Sequence, residues 1–335
     1  MIGVIARPVH VLGSGCIAAP GRGPDRLESA LDDGWRPPEV SAEWRPDGSA
    51  HARVAAVARP EDHLRMRGLR SLSRTGRLCC IAAADALGHP DLPPGPPERT
   101  AVVVGTRWGS IEPLVEFNRA AVTAGPRLVN PSHFPNVVVN AHAGYLGTLF
   151  GPAGPNLTVC GPAAGLEAIG QAADLLDLAR AEHALAGGVE ALGTTVLHGL
   201  ASEGSGDVPG EGAGFLLLGP PPERPGARVA AWASETVHAP EDLGPARSRV
   251  LEEILEAAGL GRGDRTLLWH VGEPPNGAAA GLQGRWLDPV VGSCHAAGGA
   301  LAAVVAARSA TAGRPSVAAS FPPDGTQVAV AFVPA

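Results

Sequence analysis

The 335-residue sequence has no apolar run near the ~20 residues that cross a bilayer, and its longest runs, such as Leu301–Ala307, fall far short. No membrane association is expected. The opening Met-Ile-Gly-Val-Ile-Ala-Arg-Pro is not a charged region followed by a long apolar stretch, so no secretory leader is read there. Positive charge is scarce as well: 26 basic against 33 acidic residues give a net charge of −7. Binding to phosphate backbones needs clustered cations, so nucleic acid is not expected as a partner. There is no CxxC and no Cys/His ladder with zinc spacing among Cys16, Cys79, Cys80, Cys160 and Cys294. No structural metal is expected, and an odd number of scattered cysteines suits reduced thiols in a cytoplasm. No short-period repeat is present.

What is present describes a folded α/β chain. Hydrophobic residues make up 45% and charged residues 18%, which is incompatible with disorder throughout. The length exceeds what one core usually fills, so one large domain or two fused halves are expected. The 45 glycines and 33 prolines fall largely in loops, including residues 20–65, which read as loop with short elements, and the Pro220–Gly226 linker. Val9–Gly15 reads as a strand and turn, Arg67–Leu87 as an Ala-rich helix, and Ala101–Gly105 as a strand apolar on both faces. Helices follow at Ile111–Val122 and Asn136–Leu149, then a strand at Asn156–Cys160, a helix at Gly165–Arg180 and strands at His183–Ala186 and Gly214–Leu218. After the linker, strands at Val229–Ala233, Leu267–Val271 and Gln327–Phe332 alternate with helices at Ser248–Ala258 and Ala297–Ser309. Such alternation is the α/β pattern.

The segment with chemical content is Asn156–Leu192: a strand, a sharp turn, a helix, a second strand and Gly187-Gly188. A nucleophile at such a turn is presented to solvent, and the helix N-terminus lowers a thiol pKa. Here Gly165 opens the helix and Ala186-Gly187-Gly188-Val189-Glu190 closes the second strand. Further motifs are Val11–Gly15, Val103–Thr106, Asn130-Pro131, Phe134-Pro135-Asn136, Gly151–Pro155 and Val208–Gly214. Together these resemble the thiolase superfamily and, within it, the β-ketoacyl synthases. The resemblance implies a five-layer αβαβα sandwich of two related α/β halves, residues 1–218 and 227–335, with the helix after the turn starting at Pro162 and buried between sheets. It implies no cofactor.

The departures from that family decide the functional expectation. Three residues before Gly165, where the family carries its Cys, stands Pro162, and Cys160 lies two residues earlier. The family's first catalytic His is matched by His270 without its Gly-Thr. The second is matched by His295, with Val290 at the Lys position and Cys294 at a Gly. The closing loop reads Phe321-Pro322-Pro323-Asp324-Gly325-Thr326-Gln327, stiffened by its prolines. A condensing reaction needs an acylated thiol and donors for the enolate oxygen. Ala164–Ala172 is more similar to the Cys-less chain-length factors of type II polyketide synthases than to active enzymes.

That resemblance implies a non-catalytic subunit that dimerises with an active ketosynthase and bounds the cavity holding the acyl or polyketide chain. It pairs through the 156–159 strand, with Asn156 and Thr158 at the interface and Phe134, Tyr145 and Phe150 as candidate floor. An acyl carrier protein bearing the chain is the second implied partner. Positive charge at Arg59–Arg77 (Arg65, Arg67, Arg70, Arg74, Arg77) and Arg107 reads either as its docking patch or as a solvated helix face. Two alternatives stay open: an atypical acyltransferase or condensing enzyme using Cys160 with His270 and His295, and a homodimeric acyl-binding scaffold. Cys160 reads more simply as a buried strand-end thiol packing as a small hydrophobe. A Cys294–His295 dyad is disfavoured because adjacent side chains seldom meet, and His133 and His142 lack further metal ligands. Glu211 reads as a partner for backbone N–H groups.

Overall fold

The computed structural model describes residues 2–38, 53–88, 95–202, 207–223, 226–261, 266–273, 282–323 and 325–335. The first half runs β1 (Ile2–Ala18), β2 (Gly21–Arg22), α1 (Pro24–Asp32), α2 (Arg74–Leu87), β3 (Thr100–Thr106), α3 (Ile111–Ala124), α4 (Ala141–Phe150), β4 (Asn156–Cys160), α5 (Ala164–Asp177), β5 (His183–Glu190), α6 (Thr194–Ser202) and β6 (Gly212–Gly219). The second runs β7 (Ala227–Thr236), α7 (Leu243–Ala257), β8 (Leu267–Gly272), β9 (Gln283–Trp286), α8 (Asp288–Val291), α9 (His295–Thr311), β10 (Ser316–Phe321) and β11 (Thr326–Pro334).

Strand pairing repeats between the halves. The order β4-β3-β5-β6-β1 is mirrored by β9-β8-β10-β11-β7. In each array the first three strands are parallel and the last two pairings antiparallel. β1 joins the arrays, pairing β6 through His10–Ala18 and β7 through Ile2–His10. A register shift between Val4 and Val9 lets this one strand serve both.

Side-chain alternation assigns the layers. Val102, Val104, Leu185 and Phe215 point to one face of the first array, packed with α2 and α4. Ala101, Val103, Ala186 and Leu216 point to the other, against α5 and α9. In the second array Trp269, Val271 and Val330 face that same central pair, whereas Leu268, Val317 and Ala329 face α7. The result is helix, sheet, paired α5/α9, sheet, helix, the five-layer αβαβα order expected from the sequence. The composition of α9, His-Ala-Ala-Gly-Gly-Ala-Leu-Ala-Ala-Val-Val-Ala-Ala, is apolar around its circumference, as a helix covered on both sides requires. Ser73 caps α2 by accepting from the Gly76 amide at 3.2 Å, and Gly88 ends it in a left-handed conformation.

Several boundaries differ from the sequence reading. α5 begins at Ala164, not Pro162, because the chain first turns through Gly161–Ala163. α2 begins at Arg74 rather than Arg67, and α4 at Ala141 rather than Asn136, since short 3-10 turns precede each. α1 is one of the short elements expected within residues 20–65, and it forms because Pro24 suits a first helical turn and Leu27 and Ala30 share one buried face. Part of the Pro220–Gly226 linker, at 224–225, and Asp324 of the closing loop lie outside the described residues.

Candidate functional site

The parallel strands β3, β4 and β5 end together at Thr106, Cys160 and Glu190, and the carboxyl ends of such strands are where α/β sheets place their sites. The N-termini of α5 and α9 converge there. A Cβ on Gly165 would run into the Ala296 carbonyl oxygen, so these two helix starts touch through a residue that can only be glycine. Pro162 occupies the turn leading into α5, with the Gly161 amide donating to the Thr106 carbonyl at 3.1 Å. Proline supplies neither a nucleophile nor an N–H to stabilise an oxyanion at this turn.

Glu190 organises the floor. It is 2% exposed and accepts bonds from the Thr106 hydroxyl at 3.2 Å, the Trp108 amide at 3.3 Å and the Arg107 amide. Burial pushes its carboxyl up to about 8 against the opposing pull of these donors. The clamp fixes the chain just after β3, and Arg107 and Trp108 then reach α9. Arg107 Nη1 lies 3.2 Å from His295 Nδ1, the guanidinium sits 4.8 Å from the Trp108 ring centroid, and Trp108 meets His295 edge-on at 5.9 Å. His295 starts α9 with a left-handed backbone (φ 46°), a conformation that non-glycine residues adopt only when their surroundings impose it. Burial, reinforced by the Arg107 cation, lowers the imidazole to about 3, so the ring is neutral.

The remaining candidates separate from this cluster. Cys160 is exposed, contrary to the buried thiol expected, because β4 hydrogen-bonds β3 on one side and no strand among the described residues on the other. Its pKa is raised, first by desolvation and then by the Glu190 carboxylate, the opposite of nucleophile activation. His270 sits in β8, where alternation sends Leu268 to the α7 side and Trp269 and Val271 to the central layer. His270 therefore faces α7, across the sheet from His295, with Nδ1 3.3 Å from the Gly272 carbonyl and its pKa lowered by burial. The inward position at that strand end belongs to Val271, which packs on Gly298 of α9. One residue of offset decides the face. Val290 is buried in α8 and brings no amine. The Cys294 thiol donates to the Val291 carbonyl at 2.9 Å and is driven well above its ordinary pKa by burial, so it forms no dyad with His295.

Glu211 binds the amides of Val57 (2.7 Å) and Leu192 (2.9 Å) and pairs with Arg74 (2.8 and 2.5 Å), a structural clamp. Arg59, Arg65, Arg67 and Arg70 are exposed, while Arg74 is committed to Glu211 and Arg77 is half-buried. Phe134 is exposed, edge-on to Phe117 at 6.3 Å, and Tyr145 donates to Asn136 Oδ1 at 2.6 Å. Phe150 packs in the core with α2. Asn156 is exposed at the β4 edge, its amide donating to the Ala143 carbonyl at 3.0 Å, and Thr158 is half-buried. His133 is exposed and His142 buried, and no cluster of metal-ligating groups occurs among the described residues. Sequence reasoning gave Arg107 to a surface patch and Glu190 to a motif. The signal available was an arginine two residues beyond the wholly apolar run Ala101–Gly105.

A five-layer fold with paired helix starts over the strand ends defines the thiolase-like ketosynthases. Residues 6–222 match the beta-ketoacyl synthase N-terminal domain, and the chain belongs to that family. It is 31% identical to a 3-oxoacyl-[acyl-carrier-protein] synthase 2 of Vibrio cholerae over 146 residues, 36% of this chain and 34% of that one. It is 26% identical to the Staphylococcus aureus synthase 2 over 233 residues, 60% of this chain and 58% of that one. The chain thus spans less than two thirds of the length of these curated relatives. The same fold is found in the ishigamide ketosynthase/chain length factor, at TM-score 0.83 and 23% identity, covering 97% of this chain and 99% of that one. A beta-ketoacyl synthase from Burkholderia phymatum superposes at TM-score 0.82 with 18% identity, covering 98% and 100%. A type II polyketide synthase ketosynthase in complex with its acyl-carrier protein superposes at TM-score 0.76 with 18% identity, covering 98% and 99%. No helix among the described residues is long and apolar enough to cross a membrane.

Proposed function

We propose that this chain is a ketosynthase-like subunit without condensing chemistry, of the chain-length-factor kind. It pairs with an active ketosynthase and bounds the cavity that holds the growing acyl or polyketide chain. The observation that carries this reading is Pro162 at the β4–α5 turn, where neither thiol nor amide hydrogen is available. The surroundings agree: Cys160 is deactivated, His270 faces away, and Val271 and Val290 stand where polar groups would assist. The open edge of β4 and the exposed Phe134, Val138 and Val139 supply a surface for the partner, with Asn156 and Thr158 on the pairing strand. Phe134, Tyr145 and Phe150 are the bulky residues that would limit the cavity. The acyl carrier protein, an acidic partner, docks on the exposed Arg59, Arg65, Arg67 and Arg70. The division into halves at 1–218 and 227–335 and a cytoplasmic location, suited to five unpaired thiols, belong to the same reading.

The test is co-expression with a Cys-containing ketosynthase of a type II system, followed by size-exclusion chromatography and mass spectrometry after exposure to an acyl-pantetheine donor. A stable one-to-one complex, with acyl mass on the partner and none on this chain, is expected. An adduct on Cys160 with turnover by the isolated chain would establish the acyltransferase reading instead. A homodimer that ignores the ketosynthase would establish the scaffold.

A further inference from the structure

One buried charged side chain ties down the carboxyl end of the second array. β8 and β10 end in register at Gly272 and Phe321, beside the start of α9, where Val271 lies against Gly298 and Ser320 against Gly299. Gly272 leaves β8 with φ 74°, and a Cβ there would run into the Phe321 carbonyl oxygen. The two chain exits are thus pressed together at a residue that must be glycine. The Gly272 amide donates to Asp288 Oδ2 at 2.7 Å, which fixes the β8 exit to α8. Arg247 of α7 reaches both exits and is only 6% exposed. Its guanidinium donates to the Gln327 side-chain oxygen at 3.1 Å and to the Pro322 carbonyl at 3.1 Å, and reaches the Glu273 carboxylate at 3.5 Å. Gln327, fully buried, donates from Nε2 to the Pro322 carbonyl at 3.1 Å and the Gly325 carbonyl at 3.4 Å.

We propose that Arg247 and Gln327 lock the chain exits of β8 and β10 together, so that the second-half side of the strand-end site is a fixed wall and any adjustment to a ligand or partner falls to the first half. A buried guanidinium is stable only where its N–H groups meet acceptors, and two of the three acceptors here are neutral. The third, Glu273, has a side chain 88% exposed, and water screens its attraction. The lock is therefore a buried polar network rather than an ion pair, and breaking any member leaves the others unsatisfied. Arg247 is a positioning residue, since it acts through Pro322 and Gln327. The inference is independent of the proposed function: it holds for a subunit, an acyltransferase or a scaffold alike.

The test is hydrogen–deuterium exchange of the full chain at neutral pH, read by mass spectrometry at residues 272–273 and 325–328, with α5 and β3 as internal references. Wild type should exchange slowly at both exits. Arg247→Met should speed exchange there by about tenfold or more, because Pro322 and Gln327 lose their donor, while α5 and β3 keep wild-type rates. Arg247→Lys, a single point donor, cannot reach three acceptors at once and should give a smaller acceleration at the same residues. Glu273→Gln removes only an exposed charge and should change the rates by less than about twofold. Should Arg247→Met fail to fold, Gln327→Met, which keeps the cation, gives the same readout. Unchanged exchange at the exits in Arg247→Met, an acceleration spread evenly through α5 and β3, or a Glu273→Gln effect as large as that of Arg247→Met would overturn the proposal. Failure of both Met variants to fold would overturn it as well, since the network would then be a requirement for folding and not a local lock.

Discussion

Replacing Glu190 by Gln tests the floor of the site through its pH dependence. Glu190 is fully desolvated, and its carboxyl is displaced from an ordinary 4.5 to about 8, chiefly by burial and against three hydrogen-bond donors. A carboxyl with a raised folded pKa binds its proton more tightly in the native state than in the unfolded chain. Between pH 4.5 and 8 the native state therefore carries the proton and the unfolded state does not, so stability falls as pH rises through that window and levels off above it. At 1.36 kcal/mol per unit the displacement corresponds to about 5 kcal/mol, an upper bound for the whole window. Gln is isosteric and does not titrate. Urea denaturation of wild type and Glu190→Gln at half-unit steps from pH 5 to 9 reads the difference. The two proteins should be close in stability near pH 5, where wild type is protonated. The gap should then grow in favour of Gln by roughly 3–5 kcal/mol towards pH 8.5. A constant gap across the range, or one that grows in favour of Glu, refutes the placement of a desolvated carboxyl beneath Arg107 and Trp108.

Pro162→Cys should produce a thiol at the turn without restoring condensation. With no donor at Val271 or Val290, its malonyl-decarboxylation rate should stay at least ~10²-fold below that of an intact ketosynthase measured alongside. Gly165→Ala should destabilise by about 1–3 kcal/mol or abolish soluble expression, since the new methyl meets the Ala296 carbonyl; thermal unfolding measures it. Arg74→Ala should cost about 3 kcal/mol in chemical denaturation because it strands the fully buried Glu211 charge. Thiol titration should count one accessible cysteine in the native protein, Cys160, and five after denaturation, as the other four are buried. Rapid labelling of Cys294 would contradict the α9 start described above.

Much of the architecture was legible in the sequence. The run Ala101–Gly105, apolar on both faces, could only be a covered strand, and the stripe Leu166, Ile169, Ala173, Leu176 could only be a covered helix face. β10 and α6 were not read: Ser316–Phe321 alternates too weakly for a strand signal, and Thr194–Ser202 contains an internal glycine and no strong stop. α1 was hidden among Pro, Gly and Arg, where local composition argues for loop and only its contact with the rest of the protein argues for helix.

The loss of the nucleophile is a property of the chain itself, because a proline three residues before Gly165 forbids a thiol and an amide hydrogen in any fold. What surrounds that proline is not local. Residues 107, 108, 190 and 295 meet because the α5 and α9 starts interlock at Gly165 and Ala296. His270 is lost to the site because it falls on the alternate face of β8. A strand's period of two and a helix contact between residues 131 positions apart leave no trace in local composition, so only tertiary packing could decide them.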